Sequence, residues 1–191
     1  MRLARKQGEF SKTLIELKVK VNELDTIREE VKKLKPENVG IFDQTDTYFR
    51  ASHGRLKVRE INGKPEVQVV YYKRKDMKGP KRSDILIFTA KPARIVKELL
   101  ASVHGTWLVV EKRREIFRFK GTQIHLDTVR GLGNFVEFER PSKGTVYAIR
   151  NDREILEKLF VRLGLDSHNL VRGSYSDLIE SVRFNGSVPT M

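Results

Sequence analysis

The sequence predicts an α+β fold: a closed, eight-stranded antiparallel β-barrel with helices packed on its outside. One observation is a series of about eight β-like runs, separated by short turns that contain Gly, Asn or Pro. Another is a set of three or four stretches with apolar residues at helical spacing, which can cover one face of a sheet. A sheet of many short antiparallel strands joined by short turns is typical of a barrel, which leaves no free edge.

The first run, TLIELKVKV at 13–21, shows the strand pattern most clearly. Ile15, Leu17 and Val19 alternate with Glu16 and Lys18. A period of two places the apolar side chains on one face of a strand and the charged side chains on the other. The remaining β-like runs lie near 41–50, 55–61, 66–74, 84–88, 106–119, 123–129 and 134–140.

The helical stretches have recognisable ends. The first lies within 22–36 and stops at Pro36, and the second follows Pro92 and stops at Gly105. The third begins near residue 151 or 152 and ends at Gly164, and a short last helix covers SYSDLIESV at 174–182. We expect a flexible lead-in over residues 1–12 and a single domain over 13–185.

Composition narrows the class of partner. Lys and Arg number 38 against 25 Asp and Glu, so the formal net charge of the 191 residues is +13. Such a field favours anions: polyphosphates, nucleotides, nucleic acid or an acidic membrane surface. Cysteine is absent, which excludes disulfides and thiolate metal sites, and no run is apolar enough to cross a membrane or to serve as a signal peptide. We therefore expect a cytoplasmic protein with no membrane partner.

Charged residues recur at strand spacing in several of the runs. Pairs that share a face are Lys57 with Arg59, Tyr71 with Lys73, Lys112 with Arg114, His125 with Asp127, and Glu137 with Glu139. On any one strand, the ordinary interpretation is a face in contact with solvent. If the sheet closes, these faces become an interior, and unpaired charges in a dry interior cost several kcal/mol each. The interior would then be a wet channel in which basic groups bind phosphate and carboxylates bind a cation such as Mg²⁺.

A family resemblance follows from the same segments. LIELKVKV, QTDTYF, LKVRE, YYKRK, VEKRREIF, IHLDTVRGLGNFVEFE and SYSDLI resemble, in order and spacing, the CYTH superfamily of triphosphate tunnel metalloenzymes. That superfamily includes class IV adenylate cyclases and thiamine triphosphatase, with a branch of archaeal and bacterial cyclase-like members. The resemblance runs from about residue 13 to 180. It implies an eight-stranded tunnel that binds a triphosphate with Mg²⁺ or Mn²⁺.

The resemblance also implies site residues. The substrate-binding set is Lys18, Lys20, Lys57, Arg59, Lys73, Lys112 and Arg114. Catalytic roles fall on Lys18, Arg59, Lys73 and Tyr48, and the metal ligands are Glu16, Asp127, Glu137 and Glu139. One departure stands out: the first Glu of the signature E-x-E-x-K falls on Leu14, so one expected metal ligand is missing. The four histidines show no metal-ligand spacing, and we expect them to be structural or exposed.

Three functions of the tunnel stay open at this point. A triphosphatase would hydrolyse inorganic triphosphate or a nucleoside triphosphate, and we favour it because no adenine pocket is visible in the sequence. An adenylate cyclase would convert ATP to cyclic AMP and pyrophosphate, and a third possibility is a triphosphate binder without catalysis. A nucleic-acid or RNA 5′-triphosphate binding protein is a different class; the carboxylates among the basic residues argue against it. The only oligomer among these expectations is a homodimer.

Overall fold

The computed structural model describes residues 11–185, and in this part of the chain eight antiparallel strands close into a barrel. The strands are β1 (Ser11–Val21), β2 (Glu37–Phe49), β3 (Arg55–Ile61), β4 (Val67–Arg74), β5 (Lys81–Ala90), β6 (Thr106–Phe119), β7 (Thr122–Val129) and β8 (Gly133–Ser142). Their order around the barrel is β1-β5-β4-β3-β2-β6-β7-β8, and β8 pairs with β1 to close it. The predicted barrel is confirmed.

Four helices accompany the barrel: α1 (Asp25–Lys33), α2 (Ala93–His104), α3 (Val146–Arg162) and α4 (Tyr175–Asn185). Helix α3 begins five residues before the predicted start near 151, and the Thr145 side chain caps it by accepting a hydrogen bond from the Ala148 amide. The sequence pattern missed this first turn because Val146 and Tyr147 are exposed and do not continue the apolar stripe. Of the predicted lead-in, residues 1–10 lie outside the described part of the chain, and residues 11 and 12 belong to β1.

The hydrophobic core lies outside the barrel wall, between the sheet and the helices. Its largest cluster joins the outward faces of β1, β7 and β8 to α1 and α3, and includes Ile15, Leu17, Phe138, Leu156 and Phe160. A smaller cluster packs α2 against the outer face of β3 and β4. Because alternate residues of a strand point to opposite faces, the charged residues of the same strands point into the barrel.

Helix α4 closes one end of the barrel. Tyr175 packs there on an apolar cluster that includes Tyr48, Leu108, Val129 and Phe135. Polar contacts hold the helix and the segment before it. Trp107 Nε1 donates to Glu180 (3.0 Å), Arg55 pairs with Asp177 (2.7 Å), and Lys81 Nζ donates to the carbonyls of Val171 (2.8 Å) and Arg172 (2.7 Å).

Within residues 11–185, none of the helices has the length and apolar character needed to cross a membrane.

Candidate active site

The barrel encloses a cavity of about 410 Å³ to which all eight strands contribute side chains. One part of the cavity is lined by charged side chains. The cations there are Lys18, Lys57, Arg59, Arg74, Lys112 and Arg114, and the carboxylates are Glu16, Asp46, Glu137 and Glu139. Nearly all of these side chains are buried, so the charges lie in a confined space where water screens them weakly.

Asp46 on β2 organises the first group of cations. Its carboxylate accepts hydrogen bonds from Lys57 Nζ (2.8 Å), Lys112 Nζ (2.8 Å) and Arg59 Nε (2.6 Å). Burial of Asp46 opposes its ionisation, but the charges of Arg59, Lys112 and Lys57 outweigh burial and hold the pKa of this carboxyl well below its usual range. One carboxylate therefore fixes three cationic side chains in place.

A second group of charges is centred on Arg114. Its guanidinium donates to both oxygens of Asp127 (2.7 and 2.6 Å) and to Glu137 (2.7 Å), and Lys18 Nζ pairs with Glu137 at 3.0 Å. Burial opposes the ionisation of Glu137, yet Lys18 and the neighbouring cations hold its pKa well below the usual range. The Tyr175 hydroxyl donates to Asp127 (2.6 Å), so α4 contributes directly to this group.

Arg74 on β4 is only partly paired. Its Nη1 donates to Glu16 at 2.6 Å, whereas its buried Nε and Nη2 have no hydrogen-bond partner in the described part of the chain. Leaving a buried donor without a partner costs free energy. An oxyanion that accepts from both nitrogens would remove that cost, and a guanidinium suits such two-point binding of phosphate.

Three side chains could hold a metal ion together. His125, Glu137 and Glu139 each offer one ligand atom, and these atoms all lie within 4.8 Å of one another. His125 Nδ1 is buried with no hydrogen-bond partner among the described residues, and it lies 3.7 Å from Glu137 and 3.8 Å from Glu139. Glu16 lies opposite Glu139 in the β1–β8 register. These donors fit a divalent cation.

Most of the predicted site residues lie in or directly against the cavity. They are Glu16, Lys18, Tyr48, Lys57, Arg59, Lys112, Arg114, Asp127, Glu137 and Glu139. Among them, Asp127 has both of its oxygens held by Arg114, and Glu16 is paired with Arg74.

Two predicted residues lie elsewhere, and these placements were wrong. Lys73 is exposed on the outside of the barrel, and its neighbour Arg74 lines the cavity instead. The alternation of β4 did not reveal its inner face, because Val69 and Val70 are both buried, one on each side. Lys20 is exposed next to Phe135, beyond the lining of the cavity.

Sequence reasoning missed Asp46, Arg74 and Tyr175, and it treated His125 as structural. A signal existed for Asp46, because it shares strand parity with Tyr48, which was singled out. His125 shares a strand face with Asp127, but only the closed barrel brings it beside Glu137 and Glu139. For Tyr175 the sequence indicates a helix, and its place over the end of the barrel depends on tertiary packing.

Comparisons with known proteins agree with this geometry. The family model of the CYTH domain matches residues 13–175. A relative from Methanocaldococcus jannaschii, named "Putative adenylate cyclase MJ0240", is 24% identical over 175 residues, which cover 86% of this chain and 97% of the relative.

Solved structures share the fold. The PH1012 protein of Pyrococcus horikoshii superposes with a TM-score of 0.78 at 25% identity, covering 86% of this chain and 98% of its own. HpAC1 from Hippeastrum, described as a "putative adenylyl cyclase" with a dominant triphosphatase activity, superposes with a TM-score of 0.59 at 14% identity, covering 93% and 97% of the two chains.

Proposed function

This chain belongs to the CYTH family, and from that premise we propose that it is a divalent-metal-dependent triphosphatase acting on inorganic triphosphate or nucleoside triphosphates inside the barrel. In the reaction, a water oxygen bonds to the terminal phosphorus, the bridging P–O bond breaks, and orthophosphate and a diphosphate result. The observation that carries the proposal is the buried set of cations, in which two Arg74 donors have no partner among residues 11–185.

The cations support binding of a linear polyanion. Lys57, Arg59 and Lys112 are held by one carboxylate, so their positions are fixed before a substrate enters. Preorganised donors stabilise developing negative charge without reorganisation at the moment of reaction. Arg74 can bind two phosphate oxygens through Nε and Nη2, whereas Arg59 uses these two nitrogens to hold Asp46 and would reach phosphate through Nη1. The ammonium of Lys18, beside Glu137, acts as a point charge.

A divalent cation would be held by Glu137, Glu139 and His125, with Glu16 close by. When bound, Mg²⁺ or Mn²⁺ would neutralise negative charge on the phosphate oxygens and help to orient them. This proposal adds His125 to the predicted ligands and gives Asp127 a different role. Since Asp127 is bound by Arg114 and Tyr175, it positions that guanidinium.

Tyr48 acts as a hydrogen-bond donor in this scheme. Burial raises the pKa of its hydroxyl, and the charge of Asp46 raises it further, so the group stays protonated at neutral pH. Lys73 has no part in the proposed reaction because it lies outside the barrel.

The test is incubation of the purified chain with Mg²⁺ or Mn²⁺ and either inorganic triphosphate or ATP, with orthophosphate and cyclic AMP measured in parallel. We expect orthophosphate release that requires the metal. Arg59→Ala is the inactive control and excludes a contaminating phosphatase. Absence of metal-dependent orthophosphate release from both compounds would contradict the proposal.

A second candidate is an adenylate cyclase, favoured by the name of the relative from Methanocaldococcus jannaschii. In that reaction the ribose 3′-hydroxyl attacks the α-phosphorus of ATP and pyrophosphate leaves. The same tunnel groups would serve both reactions. Formation of cyclic AMP in the experiment above would favour the cyclase.

A further inference from the structure

We propose that the open mouth of the tunnel binds a hydrocarbon group, so that this chain prefers triphosphate monoesters of compact apolar or aromatic alcohols to bare inorganic triphosphate. The inference rests on the proposed function in one respect: the phosphate chain occupies the cationic part of the cavity. It is carried by the order in which lining residues follow one another along five of the eight strands.

Helix α4 supplies a reference point, because it marks the closed end of the barrel. Strand β3 leaves that end at Arg55, which pairs with Asp177, and its inward residues are then Lys57, Arg59 and finally Ile61. The lining side chains of β3 are therefore charged near α4 and apolar farther from it.

Strands β5 and β6 show the same order. Strand β5 starts at Lys81, which is bound to carbonyls of the segment before α4, and its later residues Ile85 and Ile87 line the cavity. Strand β6 starts beside α4 at Trp107 and continues inward through Lys112 and Arg114 to Ile116.

Strands β1 and β2 run toward α4, so their residues are followed here against the direction of the sequence. They show the same change from charged to apolar with distance from α4. The carbonyl of Lys18 accepts from the Val171 amide (2.9 Å), and β1 leads outward from there through Glu16 to Leu14. Strand β2 leads from Tyr48, under α4, through Asp46 to Phe42.

We call the resulting apolar set, which comes from β1, β2, β3, β5 and β6, the apolar collar; on β4 and β7 the corresponding lining residues are Gln68 and Gln123. It consists of Leu14, Phe42, Ile61, Ile85, Ile87 and Ile116. Leu14 is buried and the other members are half-buried, whereas the outward faces of β1, β7 and β8 are sealed under helices. In the described part of the chain, none of the hydrophobic clusters that include a helix contains a collar residue. The collar is therefore not part of the packed core of the fold.

The polar groups around the collar are consistent with this assignment. Among the described residues that line the cavity, no carboxylate lies outward of Glu16 and Glu139, so the metal ligands end where the collar begins. Leu14 stands two residues outward from Glu16, at the position where the family signature has a further Glu. The cations Lys12 and Lys64 also line the mouth and would attract the incoming anion.

The physical consequence is a preference for an ester. Removing apolar surface from water is favourable in proportion to the area buried. Inorganic triphosphate has no group that could cover the collar, and the hydroxyl-rich ribose of ATP would be a poor match. A phenyl or short alkyl group on the triphosphate would fill the collar while its phosphates reach Arg74 and the Asp46 group.

The test is calorimetric binding of three compounds to the full chain with Ca²⁺ present to slow turnover: phenyl triphosphate, ATP and inorganic triphosphate. We expect phenyl triphosphate to bind at least tenfold more tightly than the other two. Replacing both Ile85 and Ile87 by Gln should weaken binding of phenyl triphosphate about tenfold, with binding of inorganic triphosphate within twofold. Leu86→Gln, on the exposed outer face of the same strand, is the matched control and should leave all three affinities unchanged.

Several results would overturn the collar assignment: no binding of phenyl triphosphate, equal or tighter binding of either other compound, or equal weakening of all three by the double substitution. The comparison of compounds on the unsubstituted chain keeps the test decisive if the double variant does not fold. Orthophosphate release with Mg²⁺ or Mn²⁺ decides the proposed function separately. A retained binding preference without release would therefore contradict the triphosphatase and leave the collar in place.

Discussion

At the scale of single residues, the neighbours Lys73 and Arg74 show how strongly one step along a strand changes chemistry. Both are basic, and they are adjacent in sequence. Lys73 lies exposed on the outer face, while the Arg74 side chain is 3% exposed inside the cavity. A charge inside a weakly screened cavity interacts with an anion far more strongly than a solvated charge does.

Substitution of each of these two neighbours by Ala gives a matched pair of variants. Arg74→Ala should lower kcat/KM for the triphosphate at least 100-fold, because it removes two donors proposed to bind phosphate oxygens and leaves Glu16 unpaired. Lys73→Ala should leave kcat/KM within about twofold. Steady-state kinetics of the two variants check this, and a large loss in Lys73→Ala would support the catalytic role predicted for Lys73 from sequence.

Asp46 makes a second prediction at this scale. Asp46→Asn leaves the charges of Lys57, Arg59 and Lys112 unopposed in a buried space, and removing one partner of a buried ion pair costs on the order of 3 kcal/mol. We expect a loss of about this size in chemical denaturation, largely restored by inorganic triphosphate, which replaces the lost negative charge. The control is Asp43→Asn on the same strand, whose ion pair with Arg113 is exposed and should contribute little.

At the scale of elements, helix α4 depends on a buried ammonium. Lys81 is 1% exposed and donates to the carbonyls of Met77, Val171 and Arg172. Burial, with Arg74 and Lys18 nearby, lowers the pKa of Lys81 to about 8. The side chain therefore ties the segment that leads into α4 to the start of β5.

Lys81→Met should loosen this segment without opening the barrel. We expect amide exchange at Val171 and its neighbours to become about tenfold faster, which corresponds to about 1.4 kcal/mol of local opening free energy. Hydrogen exchange followed by mass spectrometry provides the measurement. Lys73→Met is the control, and unchanged exchange in Lys81→Met would show that the apolar cluster under Tyr175 and the contacts of Arg55 and Trp107 hold α4 without Lys81.

Strand alternation explains how much of the site could be predicted from sequence. On β1 and β8, strictly alternating charged and apolar residues revealed the inner face, and Glu16, Lys18, Glu137 and Glu139 do line the cavity. In the middle of β4, Val69 and Val70 are buried on opposite faces, so the period carries no such information there. Pairings between distant strands, such as Asp46 with Lys112, require the closed barrel and leave no local pattern.

At the scale of the whole molecule, charge is divided between the tunnel and the surface. The cations of the tunnel are largely paired with its own carboxylates, so much of the excess of +13 lies on exposed Lys and Arg side chains. Those residues provide long-range attraction for anions, which salt weakens, whereas the buried pairs are screened much less.

The buried carboxylates predict an acid-sensitive fold. The pKa values of Asp46, Asp127 and Glu137 are all held below their usual range by the cations around them, against the effect of burial. At pH values below the ordinary carboxyl pKa of about 4, the unfolded chain binds more protons than the folded chain, so stability falls as the pH falls. This stability is fully present above about pH 5 and is lost as the pH drops through the lowered values.

Thermal unfolding between pH 6 and pH 3 at constant ionic strength measures this effect. We expect the Tm to stay level above about pH 5 and to fall below it. Over its full titration, each carboxyl loses about 1.4 kcal/mol of stability for each pH unit by which folding lowers its pKa. Asp46→Asn should show a shallower fall because one of the three groups is removed. A Tm that stayed constant down to pH 3 would contradict the assignment of these carboxylates as ionised.

The closure of the barrel by α4 also has a consequence for how substrate and products of the proposed reaction would enter and leave. Within the described part of the chain Tyr175 covers one end of the barrel, so substrate and products of the proposed reaction would share the other end. A triphosphate that entered with its phosphates first would have its terminal phosphorus deepest, and orthophosphate would form behind the remaining diphosphate. We therefore expect the diphosphate to leave first and orthophosphate, the smaller product, to leave last.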